Sequence, residues 1–390
     1  MSTALARTAA EEALDHQLPH RRMEDWKWTD LRQLIDKPYP PRVTVEAEPA
    51  DVELLLKSSP FAGIAATRMV FVNGYFDAAQ SKLANGKVES RITASEPVLH
   101  MNDAFATDGA RIILSGSVDL PVEILFLSTN APPRTVATRN VIEVEAGASA
   151  TLIETHIGEG SYLANSVTEI RIGDDARLDR VKAECESAQA THLAHAHVTL
   201  GANAVFRDFT LTTGARLNRQ NGTLEFVGEN TDAKVSGAYL LAGKQHADTR
   251  LVVDHAVPNC SSRELFKCVM DDHARGIFQG KVIVRPHAQK TDGKQSSHAL
   301  LLSETAEFDA KPELEIFADD VACGHGATSG DLDHDHLFYL RSRGIPERDA
   351  KSMLIAAFVG EAFDTVAHDG IREALEHFAQ NWLTEHRGGR

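Results

Sequence analysis

Alternating apolar and polar residues dominate the middle of this 390-residue chain. From about residue 110 to residue 330, short runs rich in Val, Ile, Leu and Thr alternate with turn residues, as in VEILFLS (122–128) and NVIEVEAG (140–147). Period-two alternation predicts β-strands, and the near absence of helical patterns argues against an α/β fold. We therefore expect a mainly β core over residues 110–330.

Glycines follow several of these runs at a nearly constant spacing. Gly147, Gly173, Gly201 and Gly228 recur roughly every 27 residues. A repeat of this length is typical of a solenoid, in which each coil stacks on the last and no coil buries its core alone. The spacing favours a parallel β-helix over a β-sandwich, which also has short strands and frequent turns.

Helical periodicity replaces the β pattern on both sides of the core. Residues 1–109 form an N-terminal helical and mixed region, in which MVFVNGYF (69–76) predicts a hairpin. Trp26 and Trp28 are expected to anchor this region by burying large apolar area, in preference to contacting a partner. Residues 331–390 form a C-terminal region of three predicted helices. Its apolar stripe could be its own core, a docking face, or both.

Charge and composition exclude several classes of function. The net charge is −16, so a nucleic-acid partner is not expected. No apolar run approaches the roughly 18 residues of a membrane span, and the first residues lack the apolar stretch of a signal peptide. The four cysteines are too few for a disulfide framework in a chain of this length. We expect a cytoplasmic protein with free thiols.

The stretch PELEIFADDVACGHGATSG (312–330) carries the side chains best suited to metal or sulfur chemistry. Its pattern indicates a strand, a tight polar turn and then a small-residue loop that holds Cys323 and His325. A thiolate is a nucleophile and a soft ligand, and imidazole suits iron and zinc. One Cys and one His do not complete a tetrahedral site. Either a partner chain or another part of the fold supplies further ligands, or the pair is a buried thiol beside a turn histidine.

Two groups of histidines could be mistaken for metal sites. His192, His195 and His197 form H-x-x-H-x-H, and on a strand His195 and His197 share one face while His192 takes the other. Solvated strand histidines are a simpler interpretation than a metal site. The run DLDHDH (331–336) is best explained as an N-cap with acidic residues at a helix start.

The remaining cysteines and motifs give no case for an independent enzyme. Cys260 and Cys268 lack metal-ligand spacing and are expected to fill the core. Cys185 lies between two glutamates, which should raise its pKa and make it a poor nucleophile. The chain has no phosphate-binding P-loop, no G-x-S-x-G and no H-E-x-x-H. We expect no catalytic residue.

Two long stretches closely resemble the SufB/SufD family of iron–sulfur cluster assembly proteins. They are KPELEIFADDVACGHGATSGDLDHDHLFYLRSRGI (311–345) and SSRELFKCVMDDHARGIFQGKVIVRPHAQKTDGKQSSHALLLSE (261–304). The segment MEDWKWTDLR (23–32) resembles the SufD branch of that family. The resemblance implies a right-handed parallel β-helix core with N-terminal and C-terminal helical regions, in agreement with the repeat.

The resemblance also implies partners and a site. SufB would pair along the β-helix near the Cys-x-His stretch, and the ATPase SufC would dock on the C-terminal helices, which would leave this chain a non-catalytic scaffold. His325 would take part in cluster assembly at the SufB interface, as a candidate metal ligand shared with the partner chain. Cys323 lies beside it, although the family pattern does not make it the sulfur acceptor. No tightly bound cofactor is implied, only transient iron or an iron–sulfur cluster in the complex.

Three alternatives remain open. The chain could be a SufB-like paralogue, or a homodimeric scaffold that uses the same sheet edge isologously. It could also be a β-helix enzyme acting on carbohydrate with paired carboxylates. The aromatic content of 6% offers few sugar-stacking platforms and argues against the last alternative.

Overall fold

The computed structural model describes residues 18–35, 39–40, 45–82, 101–103, 105–106 and 108–386. Within these residues, strands form two parallel sheets of ten and eight strands, and helices lie towards both termini. The mainly β core with helical ends is therefore confirmed. The first 17 residues of the predicted N-terminal helical and mixed region lie outside the described residues.

Successive strands alternate between the two sheets, which is the topology of a β-solenoid. The even sheet has the order β18-β16-β14-β12-β10-β8-β6-β4-β1-β2, and the odd sheet has the order β17-β15-β13-β11-β9-β7-β5-β3. Neighbouring strands are parallel, and the hairpin of β1 and β2 is the antiparallel exception. A β-sandwich, which consists of antiparallel sheets, is thereby excluded. The strand bounds are Thr67–Val72 (β1), Tyr75–Phe76 (β2), Arg111–Leu114 (β3), Val122–Ser128 (β4), Thr135–Val144 (β5), Ser149–Gly158 (β6), Leu163–Ile172 (β7), Arg177–Glu186 (β8), Thr191–Leu200 (β9), Val205–Thr212 (β10), Leu217–Phe226 (β11), Asp232–Leu241 (β12), His246–His255 (β13), Ser261–Met270 (β14), Arg275–Val284 (β15), Asp292–Leu301 (β16), Glu307–Ile316 (β17) and Ala322–Gly330 (β18).

One corner of each coil is set by a residue with a left-handed backbone. The φ angle is positive at Gly147, Asp175, Asn203, Asn230 and Asn259. Gly, Asn and Asp adopt this conformation at the lowest cost. Backbone N–H groups at this corner donate to carbonyls of the next coil, as from Gly147 to Asp174 and from Asp175 to Ala202, at 2.8 Å each. The feature that recurs in each coil is therefore the left-handed backbone at this corner. Most coils have Asn or Asp there instead of Gly.

The N-terminal region starts the even sheet and covers the outside of the odd sheet. Strand β1 pairs with β4, so the sheet begins within the region 1–109. The predicted hairpin is confirmed, because Val72 pairs with Tyr75 around Asn73 and Gly74, both with positive φ. A 3₁₀ turn at Glu24–Trp26 and short helices at Leu31–Leu34 (α1) and Pro49–Ser58 (α2) complete the described part of this region.

Trp26 anchors the N-terminal segment, as predicted. It is buried against Leu163, Leu193 and Leu217 on the outer face of the odd sheet, and the Arg219 guanidinium lies 4.5 Å from its ring centroid. Trp28 is only half-buried, with the Lys27 ammonium 4.9 Å from its ring. The two tryptophans therefore differ in role, and Trp26 carries the anchoring contact.

The C-terminal region forms three helices, of which the second packs on β12 and β14 of the even sheet and the first and third pack against the second. They are His334–Ser342 (α3), Glu347–Phe363 (α4) and Asp369–His386 (α5). Asp333 is the N-cap of α3, since its carboxylate accepts from the backbone N–H groups of Asp335 and His336. This confirms the predicted role of DLDHDH. Gly344 ends the helix with φ +85°.

The apolar stripe of these helices is buried against the sheet as well as against itself. Val359 and Phe363 join one core with Val181, Phe209 and Leu240, which point outwards from the even sheet. The outer face of these strands is therefore apolar. In the described part of the chain, no helix is long and apolar enough to cross a membrane.

Candidate functional site at the open edge and in the solenoid interior

The small-residue stretch at the end of the core is a strand. Ala322–Gly330 (β18) pairs in parallel with β16, so the loop expected there is wrong. Gly, Ala and Ser have low strand propensity, but the ladder of β16 supplies the backbone partners that fix this segment. Strands β17 and β18 are the last strands of the two sheets, and both have largely solvent-accessible residues. The solenoid therefore ends in two open edges.

Cys323 and His325 occupy neighbouring positions on the inward face of β18. Cys323 pairs with Gly293 and packs against the core, while His325 pairs with the buried Gln295 and is itself exposed. Burial raises the pKa of the Cys323 thiol, and the charge of Asp292 adds to the effect. Cys323 is thus held as a thiol, and His325 is the more accessible ligand.

His325 is the exposed end of a row of interior polar residues. The ladders place Gln295 beside His325 and Glu264 beside Gln295. Both inner residues are only 2% exposed. Burial raises the pKa of Glu264 to about 7, against the opposing effects of Ser262 and Arg263. This row joins the edge site to the inside of the solenoid.

Other predicted residues take structural positions. His192 faces the solenoid interior and is fully buried, while His197 points the other way and is partly exposed, as the alternation predicted. The expectation of solvated strand histidines is wrong for His192 and for His195, which is buried as well. Cys260 and Cys268 are buried in the core, as predicted. The pKa of Cys185 is raised, but burial is the main cause, and the charges of Glu184 and Glu186 come second. The sequence alone suggested the charges and missed the burial.

A cluster of charged side chains inside the middle coils was not predicted. The guanidinium of Arg180 donates to the carboxylates of Glu154 and Asp208 at 2.9 and 3.0 Å. The Lys182 ammonium lies 2.7 Å from the carboxylate of Glu184. The same strands also contribute apolar residues to the interior core, among them Leu178 of β8 and Phe206 of β10. A cavity of about 60 Å³ borders the cluster, and Gln220 contributes to its lining.

Two histidines extend this cluster to one corner of the solenoid. Nε2 of His156 lies 2.9 Å from Glu154, and the rings of His156 and His192 are 4.7 Å apart. The two ring nitrogens of His192 lie 2.7 Å from Glu186 and 3.1 Å from Glu184. Burial alone would lower the pKa of His192, but the two carboxylates raise it to about 9. Burial lowers the pKa of His156.

One sequence signal could have revealed this cluster. Charged residues alternate with apolar ones from Arg180 to Glu186, which correctly indicates a strand. Such a pattern is usually taken as a polar face in water and an apolar face in the core. Here Val181 and Ala183 face outwards beneath the C-terminal helices, and the charged face lies inside. The period-two alternation is therefore correct, but the usual assignment of the charged face to solvent and the apolar face to the interior is reversed.

Comparisons with known proteins agree with this architecture. The family model described as SUF system FeS cluster assembly, SufBD core domain, matches residues 126–358. An iron–sulfur cluster assembly SufBD family protein of Synechocystis is 31% identical over 388 residues, which cover 90% of this chain and 84% of that protein. The iron–sulfur cluster assembly protein SufD of Escherichia coli is 29% identical over 383 residues, which cover 94% of this chain and 89% of that protein. The chain therefore belongs to the SufBD family of iron–sulfur cluster assembly proteins and is a homologue of SufD.

Proposed function

We propose that this chain is the SufD-type scaffold of a complex with SufB and the ATPase SufC. The observation that carries the proposal is the pair of open edges at β17 and β18, with His325 at the second edge. An edge strand presents unpaired backbone N–H and C=O groups that invite a further strand. Phe317, which follows β17, is 60% exposed and adds apolar surface there.

In this proposal SufB covers the open edges and completes the site. Iron and sulfide are cargo of the complex, and His325 supplies one imidazole while the partner supplies the remaining ligands. Cys323 lies beside it as a protonated, half-buried thiol and is the weaker ligand. The chain itself performs no catalytic step, and the nucleotide chemistry belongs to SufC. The cytoplasmic location stays a prediction.

The C-terminal helices offer a surface for SufC. Phe338 and Tyr339 of α3 are 74% and 55% exposed, although the opposite side of the helical region is buried on the sheet. Exposed aromatic side chains of this size are typical of protein–protein contact sites. A groove of about 280 Å³ lies between α4 and α5 and is lined in part by Met353 and Gln380.

Co-expression with SufB and SufC tests this assignment. Affinity purification through SufB should recover both this chain and SufC. The double variant Phe338→Ser/Tyr339→Ser should retain SufB and lose at least about 90% of the SufC held through this chain. That loss corresponds to about 1.4 kcal/mol or more of binding free energy.

Leu54→Ser is the matched control, because Leu54 is also a largely exposed apolar residue but lies on α2 at the other end of the chain. This variant should leave the recovery of both SufB and SufC unchanged. Unchanged SufC recovery with the α3 variant would contradict the docking surface. If SufB does not recover this chain at all, and the isolated chain has the mass of a dimer, the homodimeric scaffold is the correct alternative.

A further inference from the structure

We propose that His156, Glu186 and His192 bind one divalent transition-metal ion inside the solenoid. The three residues come from β6, β8 and the start of β9, where the chain turns from the even sheet into the odd sheet. One ligand atom from each residue can be chosen so that all lie within 4.8 Å of one another, and all three side chains are buried. This site is separate from the open edge at His325.

The ligand set is chemically appropriate. Two imidazoles and one carboxylate are the ligands that iron(II), cobalt(II) and zinc(II) accept, and three protein ligands leave a position for water or for a fourth group. The carboxylate of Glu184 lies 3.1 Å from Nε2 of His192 and is the nearest further oxygen. A calcium or magnesium ion is excluded as the preferred occupant, because those ions select oxygen ligands.

Several buried polar atoms at this corner make ion-pair contacts only. Both ring nitrogens of His192 and one carboxylate oxygen of Glu186 are buried without a hydrogen bond of normal geometry, although the two groups lie 2.7 Å apart. Leaving such atoms unsatisfied in a protein interior is costly. A metal ion would accept one lone pair from the His192 ring and one from the Glu186 carboxylate.

The charge of the cluster also favours a cation. Arg180 pairs with Glu154 and Asp208, and Lys182 pairs with Glu184. Glu186 pairs with the imidazole of His192. These four carboxylates and two permanent cations leave two negative charges, of which a proton on His192 balances one when no metal is bound. A bound divalent ion balances them, and buried charges need such compensation.

Cobalt(II) is a suitable probe, because it absorbs visible light when bound by imidazole. The full-length chain is produced in cells supplied with cobalt, so that the ion is present while the chain folds, and is then freed of loosely held metal by gel filtration. We expect about one cobalt per chain. Glu186→Gln and His192→Gln should each retain at least about tenfold less cobalt.

The matched control is His334→Gln/His336→Gln, which removes two exposed histidines from α3 and should keep the native cobalt content. Equal cobalt in the native chain and in Glu186→Gln would overturn the proposal. A native chain that retains no cobalt would also overturn the proposal. The cluster would then be a network of buried ion pairs without a metal. Because the experiment needs neither SufB nor SufC, its failure does not affect the proposed assembly role.

Discussion

Gln295 and His325 are directly paired on β16 and β18, and the next ladder pairs Gln295 with Glu264. An interior polar row thus reaches the open end of the solenoid and ends in an exposed imidazole. A partner strand added to β18 would cover His325 and bring its own groups against the same row. Both inner residues of the row, Gln295 and Glu264, are buried. A substitution at each of them therefore gives a separate prediction about stability.

Gln295→Met is expected to stabilise the chain. Both polar atoms of the Gln295 amide are buried and lack a hydrogen-bond partner among the described residues. Methionine has nearly the same shape and removes the free-energy cost of burying an amide without hydrogen-bond partners. The free energy of unfolding should therefore rise by about 1 kcal/mol. Urea denaturation measures the change, with Lys294→Met on the exposed neighbouring position as control. A clear loss of stability would mean that the amide has partners in solution.

Glu264→Gln is expected to make the chain more stable at neutral and alkaline pH. The pKa of Glu264 is raised from 4.5 to about 7 in the folded chain. The unfolded chain therefore releases this proton first, and stability falls as the pH rises from about 4.5 to about 7. Above that window the native chain should be less stable than the variant by about 3 kcal/mol, and below it the two should agree. Denaturation curves at pH 4 and pH 8 provide the comparison; a difference that does not change with pH would contradict the burial argument.

Trp26→Ala should destabilise the chain by about 3 kcal/mol, because it removes a buried aromatic side chain and the face on which Arg219 packs. Trp28→Ala is the matched control and should cost less than about 1 kcal/mol, since that ring is half-buried. Thermal unfolding followed by circular dichroism compares the two. Equal losses would show that the N-terminal segment is anchored in another way.

The repeat could be predicted from the sequence, but its physical origin could not. Glycine spacing gave the right period, and Gly173 and Gly201 do follow paired residues of β7 and β9. Gly147 instead takes the left-handed corner, which Asp175 and Asn203 occupy in the next coils. Three residue types serve that backbone conformation, so a search for glycine alone detects it only in part.

The inside of the solenoid was hidden for a different reason. Alternation shows that two faces differ, but it does not show which one a later segment covers. The outward apolar face of β8 is buried by α4 and α5, which follow more than a hundred residues later in the chain. The charged face of Arg180 and Lys182 is therefore interior. Cys323 and His325, in contrast, could be identified by chemistry and family resemblance before their edge position was known.

Cys323→Ser should leave cluster formation in the SufB–SufC complex near the native level. Burial keeps the Cys323 thiol protonated, and a protonated thiol is a poor ligand and nucleophile. Iron and sulfide per complex measure the outcome. A loss comparable with that of a His325 variant would instead make Cys323 a ligand or a sulfur carrier.

The most direct test is His325→Ala in the purified complex with SufB and SufC. Because His325 is exposed at the end of β18, the variant should keep its fold and both partners while cluster formation falls at least about tenfold. His273→Ala, an exposed histidine in the turn after β14, is the control and should behave as the native chain. The measurement is iron and acid-labile sulfide per complex, with partner stoichiometry determined on the same sample. Native cluster content in the variant, or loss of SufB from the complex, would contradict a role of His325 in the chemistry of assembly.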